Sequence, residues 1–266
     1  MNYELRKNGF MLARNMGKMP MLRRGFTLVE LLVVIVIIAL LVAAAIPSAR
    51  ALKSSYESTG TESMISSAFS SARAIAAREH RYAGVRFQKA YDATKPNVID
   101  WPQYMIFVVY DTEIGNGKPG NLGCRVVEGL KPIKLPDNMG VVESITNDAD
   151  IDTEIELAAK TTFSILFSPT GKLIIHDLWI RNKDNSSGDS STDETFNSIN
   201  NVTNNGIGMF FQDTIIATDI ESSAKEFVIY DKTRLKAVDA NRRWNDYLRN
   251  VPEVHINQYT GTMIEK

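Results

Sequence analysis

The chain has 266 residues, 44% of them apolar and 23% charged, a mixture that builds a folded core and excludes a disordered or collagen-like polymer. The net charge of -1 divides unevenly, because residues 1–25 carry Arg6, Lys7, Arg14, Lys18, Arg23 and Arg24 against Glu4, which leaves the remainder acidic. An acidic body has no electrostatic footprint for duplex nucleic acid, and the single cysteine, Cys124, excludes an internal disulfide and reads as a small buried residue.

In chain order, a basic leader over 1–25 precedes an apolar run whose start reads RRGFTLVELLVVIVIIALL at 23–41. From Phe26 to Ile46 only Thr27 and Glu30 interrupt it. At 1.5 Å rise per residue such a helix is about 32 Å long, the thickness of a bilayer core. The sequence therefore predicts a transmembrane helix over 26–47, single-pass, with the leader in the cytoplasm by the positive-inside rule. An ordinary secretory signal, with cleavage near Ala43-Ala44-Ala45, is the bland alternative. Three features count against it: the length of the run, the acid inside it, and the helical pattern that continues beyond. Glu30 is the feature that asks for an explanation, since a carboxylate at that depth costs roughly 2.5 to 3.5 kcal/mol on insertion scales.

Gly25-Phe26-Thr27-Leu28-Val29-Glu30, between basic residues and the apolar run, resembles the prepilin processing signal of type IV pilins and type II secretion pseudopilins. The resemblance implies cleavage by a prepilin peptidase between Gly25 and Phe26, N-methylation of the new amine on Phe26, and a helix kink at Pro47. It also implies partners: the peptidase, other pilins or pseudopilins in a helical fibre, and membrane lipid. Glu30 lies four residues along the helix from Phe26, about 6 Å axially. The amine and the acid are thus expected to neutralise each other within or between subunits, removing an isolated charge from lipid. Snorkelling of Glu30 to the headgroups is the alternative.

Past Pro47, residues 48–81 predict an amphipathic continuation of the helix. Leu52, Tyr56, Met64, Ile65, Ala68, Phe69, Ala72, Ile75 and Ala76 fall on one face, with Gly60 a weak point and Arg73, Arg78 and Arg81 on a solvated face. Residues 82–266 predict a strand-rich domain. Strands are expected over 83–88, 105–110, 124–127, 162–167, 172–176, 208–211, 227–230 and 254–258, with turns at 115–121, 168–171 and 259–261. Asp239 is expected to cap a short helix that turns Trp244 and Leu248 inward. The polar stretch 181–206 reads as a mobile surface insertion. The fold class that follows is α+β and pilin-like, a long N-terminal helix packed on an antiparallel sheet.

Ser71-Ala72-Arg73-Ala74-Ile75, Gly84-Val85-Arg86-Phe87 and Phe167-Ser168-Pro169-Thr170-Gly171 resemble the GspH/FimT group of minor pilins and pseudopilins. That resemblance implies a minor subunit. Some members of the group take up DNA through a basic C-terminal tail. Here the tail is Gly261-Thr262-Met263-Ile264-Glu265-Lys266, without arginine, so nucleic acid is not an expected partner.

Catalysis and cofactors are not expected. His80, His176 and His255 are scattered, and no glycine-rich phosphate loop opens a helix. Asp148, Asp150 and Asp152 would share one side of an extended segment, which makes them a calcium candidate, but the glycine and terminal glutamate of an EF-hand are missing. Asn185 and Asn201 stand in glycosylation sequons of the kind that arise easily in Asn-rich sequence. The reading that emerges is a membrane-anchored structural subunit of a pilus or a type II secretion pseudopilus, with its body outside the cytoplasm. A pilus-borne receptor and a secreted protein are the alternatives.

Overall fold

A computed structural model describes residues 25–114, 122–213 and 221–265. The expected turn at 115–121 and the leader upstream of Gly25 lie outside these residues. Helix α1 runs from Leu28 to Glu79, and the chain divides at Ala49/Arg50 into two compact units to which the two parts of the helix belong.

In the first unit the large apolar side chains between Leu28 and Ile46 are 46–79% exposed. Such a surface suits lipid and would be costly in water. Pro47 is helical in its backbone, and the expected kink falls on a side chain outside the described set.

In the second unit the 3.6-residue period decides which face of α1 is covered. Thr61, Ile65, Ala68, Phe69, Ala72, Ile75 and Ala76 are buried. Leu52 and Tyr56, expected on that face, are exposed, because the covered stripe begins only at Thr61. The helix passes through Gly60 unbroken. It stops where His80 adopts φ +55°, and Arg81 N–H donates back to the Ala76 carbonyl at 3.3 Å, the hydrogen bond that closes a Schellman end.

After α1 come β1 Ala83–Lys89, β2 Gln103–Tyr110, β3 Leu122–Val126, β4 Ile133–Lys134, β5 Met139–Glu143, α2 Glu154–Lys160, β6 Phe163–Phe167, β7 Leu173–Ile174, β8 Asp177–Ile180, β9 Phe196–Asn197, β10 Phe210–Phe211, β11 Glu221–Ser222, β12 Glu226–Asp231, α3 Lys232–Lys236, α4 Arg243–Asp246, β13 Glu253–Ile256 and β14 Met263–Glu265. One sheet runs β11-β8-β3-β2-β1-β6-β7, with β4 also on β2, and a second runs β14-β13-β12-β5. Pairing is antiparallel except for β3 with β8 and the short ladder β9 with β10. The turns at 168–171 and 259–261 join β6 to β7 and β13 to β14 as expected, with Gly171 at φ +82° and Gly261 at φ +63°.

Three apolar cores follow from this layout. The stripe of α1 meets β1, β2 and β6 on one side and β5, β12 and β13 on the other, in a core that holds Phe69, Phe87, Phe163, Phe167 and Phe227. On its opposite face the first sheet buries Ile106, Val108, Cys124, Leu166 and Ile180 under Phe196 and Phe210. The second sheet covers Val142, Val228 and Tyr230 with Ile151, Leu157, Leu235 and Leu248. Strand β1 is consequently buried at all seven positions. Gly84 there permits contact that no side chain would, since a Cβ would lie 2.0 Å from the Ile165 carbonyl oxygen.

The structure corrects three further expectations, at 148–152, Asp239 and Arg73, and shows how segment 181–206 is tied down at the surface. Asn182, Ser191, Asp193, Asn197 and Asn201 are buried, and their side chains bond the loop to itself, as in Asn201 Nδ2 to the Asp189 and Ser191 carbonyls at 3.0 and 3.3 Å. Hydrogen bonding does there what apolar burial does elsewhere. Asp148, Asp150 and Asp152 do not lie along an extended segment: 148–150 is a 3-10 turn, and Thr153 and Glu156 form a capping box that starts α2. Asp239 makes no side-chain cap, and the region after it breaks into short turns rather than one helix. Its distant substitute is Asp148, which accepts from Trp244 N–H at 3.0 Å and Asn245 N–H at 3.2 Å. Lastly, Arg73 leaves the solvated face, half-buried, to donate to Ser70 Oγ at 3.1 Å and to the Thr260 carbonyl in the β13–β14 turn.

Candidate processing and assembly site

The helix start is built by Thr27. Residues 25–27 are not helical, and Leu28 is the first helical residue. Thr27 Oγ1 accepts from Glu30 N–H at 3.2 Å, while the Glu30 carboxylate accepts from Thr27 N–H at 2.8 Å and from the Thr27 hydroxyl at 2.9 Å. Threonine and glutamate three apart thereby close the otherwise open N-terminal end of α1 reciprocally, one backbone donor from each residue. An anion is also favoured there by the positive end of the helix dipole. The Thr27-x-x-Glu30 spacing is the signal for this contact, and reading Glu30 only as a partner for an amine passes over it.

Phe26 is 86% exposed, and a Cβ on Gly25 would meet nothing within 4 Å. No packing demand within the described chain therefore explains a glycine at 25. Exposed, non-helical backbone beside a residue without a side chain is what a peptidase needs in order to approach a scissile bond. Immediately after it, Leu28–Ile46 is a helix of 19 residues apolar enough to cross a membrane. A prokaryotic N-terminal methylation motif matches residues 20–46. This is the signal of type IV pilins and pseudopilins. The motif supports a pilin-like or pseudopilin precursor and implies processing by prepilin peptidase and assembly with other pilins. Its apolar helix fits a single-pass inner-membrane anchor. Searches of curated proteins and of solved structures give no match.

The remaining residues singled out from the sequence fall away from this signal. Cys124 is fully buried, and burial pushes its thiol up to about 12, so it is inert packing. Asp148, Asp150 and Asp152 are spent locally: Asp150 accepts from Thr146 N–H at 3.3 Å, Asp148 caps α4, and Asp152 is held by Glu156, which raises its pKa. Among the described residues they form no metal-ligand group. Asn201 is buried and cannot serve as a glycosylation acceptor, while Asn185 is exposed with φ +49°. His80 ends α1, and His176 hydrogen-bonds through Nδ1 with the Asp177 carbonyl at 3.1 Å. His255 has closer company, taken up below.

One charged centre gives no sequence signal. Arg86, 1% exposed, places its guanidinium 2.6 Å from Asp213 and 2.5 Å from Glu221. Alternation along β1 puts Arg86 opposite Val85 and Phe87, which reads as a solvent-facing position. Segments remote in sequence cover it instead, and the two carboxylates supply the partners that a buried cation requires.

Proposed function

We propose that the protein is a minor pilin or pseudopilin, a non-enzymatic structural subunit of a type IV pilus or a type II secretion pseudopilus. On this reading the bond Gly25-Phe26 is cut at the cytoplasmic face, Phe26 is N-methylated, and the body from residue 48 onward lies outside the cytoplasm. The observation that carries the proposal is the methylation motif at 20–46 on a helix whose segment Leu28–Ile46 exposes its large apolar residues and holds one acid, Glu30, at its first turn. The entry of α1 into β1, and of β6 into the 168–171 turn, supports the minor-subunit reading.

Glu30 acts as the register device. In the described state Thr27 holds its carboxylate, and in a fibre the amine of a neighbouring Phe26 exchanges for that contact. Mass spectrometry of the protein from membranes tests the cut: the mature chain begins at methylated Phe26, and Gly25→Leu retains the leader. Glu30→Ala is processed normally but enters fibres poorly. A mature chain starting beyond Ala45 would end the proposal, and equal incorporation of Glu30→Ala and parent would end the pairing role.

A further inference from the structure

We propose that His255, Glu253 and Glu226 form a binding site for a divalent transition-metal ion of the zinc type. The ligand atoms of these three residues lie within 4.8 Å of one another. The register explains why: β12 pairs with β13 with Glu226 opposite His255 and Val228 opposite Glu253, so all three side chains leave the same face of the sheet. Alternate residues of the same strands, Phe227, Val254 and Ile256, point into the main core, which anchors the backbone beneath the cluster.

The polar contacts divide the roles. His255 Nδ1 is 2.9 Å from Glu226 Oε2, an ion-pair distance at which the carboxylate favours the tautomer with its proton on Nδ1. His255 Nε2 is left with its lone pair, buried, without a hydrogen-bond partner, and 3.7 Å from Glu253 Oε2. That separation is too long for a hydrogen bond. It is close to the roughly 3.4 Å between two ligands each about 2.0–2.1 Å from a tetrahedral metal. Glu253 is itself oriented by Ser144 Oγ, which donates to its other oxygen at 3.1 Å. A carboxylate that fixes the tautomer of a ligating imidazole, and a hydroxyl that fixes a ligating carboxylate, are the supports that metal ligands characteristically receive.

His255 Nε2 and Glu253 are therefore the direct ligands. Glu226 holds the imidazole and is near enough to add a carboxylate oxygen. Lys225 stands 3.9 Å from Glu226 on a side chain 65% exposed, so it can leave without breaking the fold. An imidazole in the set selects zinc, cobalt or nickel over calcium or magnesium, which take oxygen ligands. With the three side chains 24–30% exposed, coordination positions stay open to water or to a side chain of another subunit.

Cobalt(II) is the probe, titrated into the full chain in detergent and followed by its visible absorption, with zinc as competitor. The parent takes up one cobalt per chain, and zinc displaces it. His255→Gln and Glu253→Gln each weaken uptake at least tenfold, Glu226→Gln weakens it less, and Asp150→Asn leaves it unchanged. Zinc raises the thermal midpoint of the parent and of Asp150→Asn but not of the first two variants. Glu253→Gln keeps the shape of a surface side chain and carries the test even if His255→Gln does not fold. Absence of saturable cobalt uptake by the parent, or parental uptake by Glu253→Gln, overturns the assignment.

Discussion

Phe69→Ala tests whether α1 is held to the sheets by one aromatic anchor. Phe69 is 1% exposed and meets Phe87, Phe167 and Phe227 edge-on, with ring centroids 6.2, 5.8 and 6.0 Å away. Truncating a buried phenylalanine costs about 3–5 kcal/mol in transfer energy and cavity. Each favourable ring pair adds about 0.5–1.5 kcal/mol beyond area, so the upper half of that range applies here. Set against a typical stability of about 5–15 kcal/mol, the variant loses much of what keeps the body folded. With an m-value of about 2 kcal/mol/M, its urea midpoint falls by about 2 M. Fluorescence of the full chain in detergent reads this, because Trp179 is buried in the same unit. Phe69→Leu, which refills most of the volume, loses clearly less. A midpoint shift below about 0.5 M for alanine would refute the view that the stripe from Ile65 to Ala76 docks through this ring.

Two further perturbations probe the buried charges. Arg86→Met removes the cation between Asp213 and Glu221 and destabilises the body by about 3 kcal/mol at pH 7, because two half-buried carboxylates are left close together without it. Urea midpoints at pH 7 and pH 5 check this: the gap between variant and parent narrows at pH 5 as the stranded acids take up protons. Lys232, 4% exposed with Nζ 3.1 Å from the Trp101 carbonyl, is lowered by burial from 10.5 to about 8. Its folded form releases the proton first, so between about pH 8 and 10.5 the unfolded chain binds more protons and stability rises with pH, by about 3 kcal/mol in all. Lys232→Met reduces that rise, leaving the part due to Lys89, which burial also holds well below the ordinary lysine range, and is the more stable chain at pH 7. An unchanged slope between pH 8 and 10 in the variant would show that another group is responsible.

Much of the fold is legible in the residues because local patterns and tertiary structure agree. The face from Ile65 to Ala76 is readable from its helical period, the strands around Val85, Ile106, Ile165 and Val228 from β-branched and aromatic density, and the 168–171 and 259–261 turns from glycine chemistry. What escapes reading is set by distant partners. Strand β5 contains Gly140, whose value lies in contact with the Tyr230 ring, 2.4 Å from where a Cβ would stand. The parallel pairing of β8 with β3 joins segments more than fifty residues apart. The acids at 148–152 look like a ligand set in one dimension and prove to be a cap and two turn braces in three. Loop 181–206 has few apolar residues, and composition alone does not reveal that its amides and hydroxyls satisfy one another. At the methylation motif the glycine and the acid are readable. The grip of Thr27 on that acid is written in the same four residues but competes with the more conspicuous reading.

That grip has a bearing on when a subunit commits. A lone subunit does not wait with a bare anion: its carboxylate is already occupied by two donors belonging to Thr27. If Glu30 takes a neighbour's terminal amine as proposed, the arriving group must offer more than this local arrangement, as a free amine does where an uncut leader, with an amide in the same place, does not. The exchange would then admit trimmed chains to a fibre and leave untrimmed ones in the bilayer.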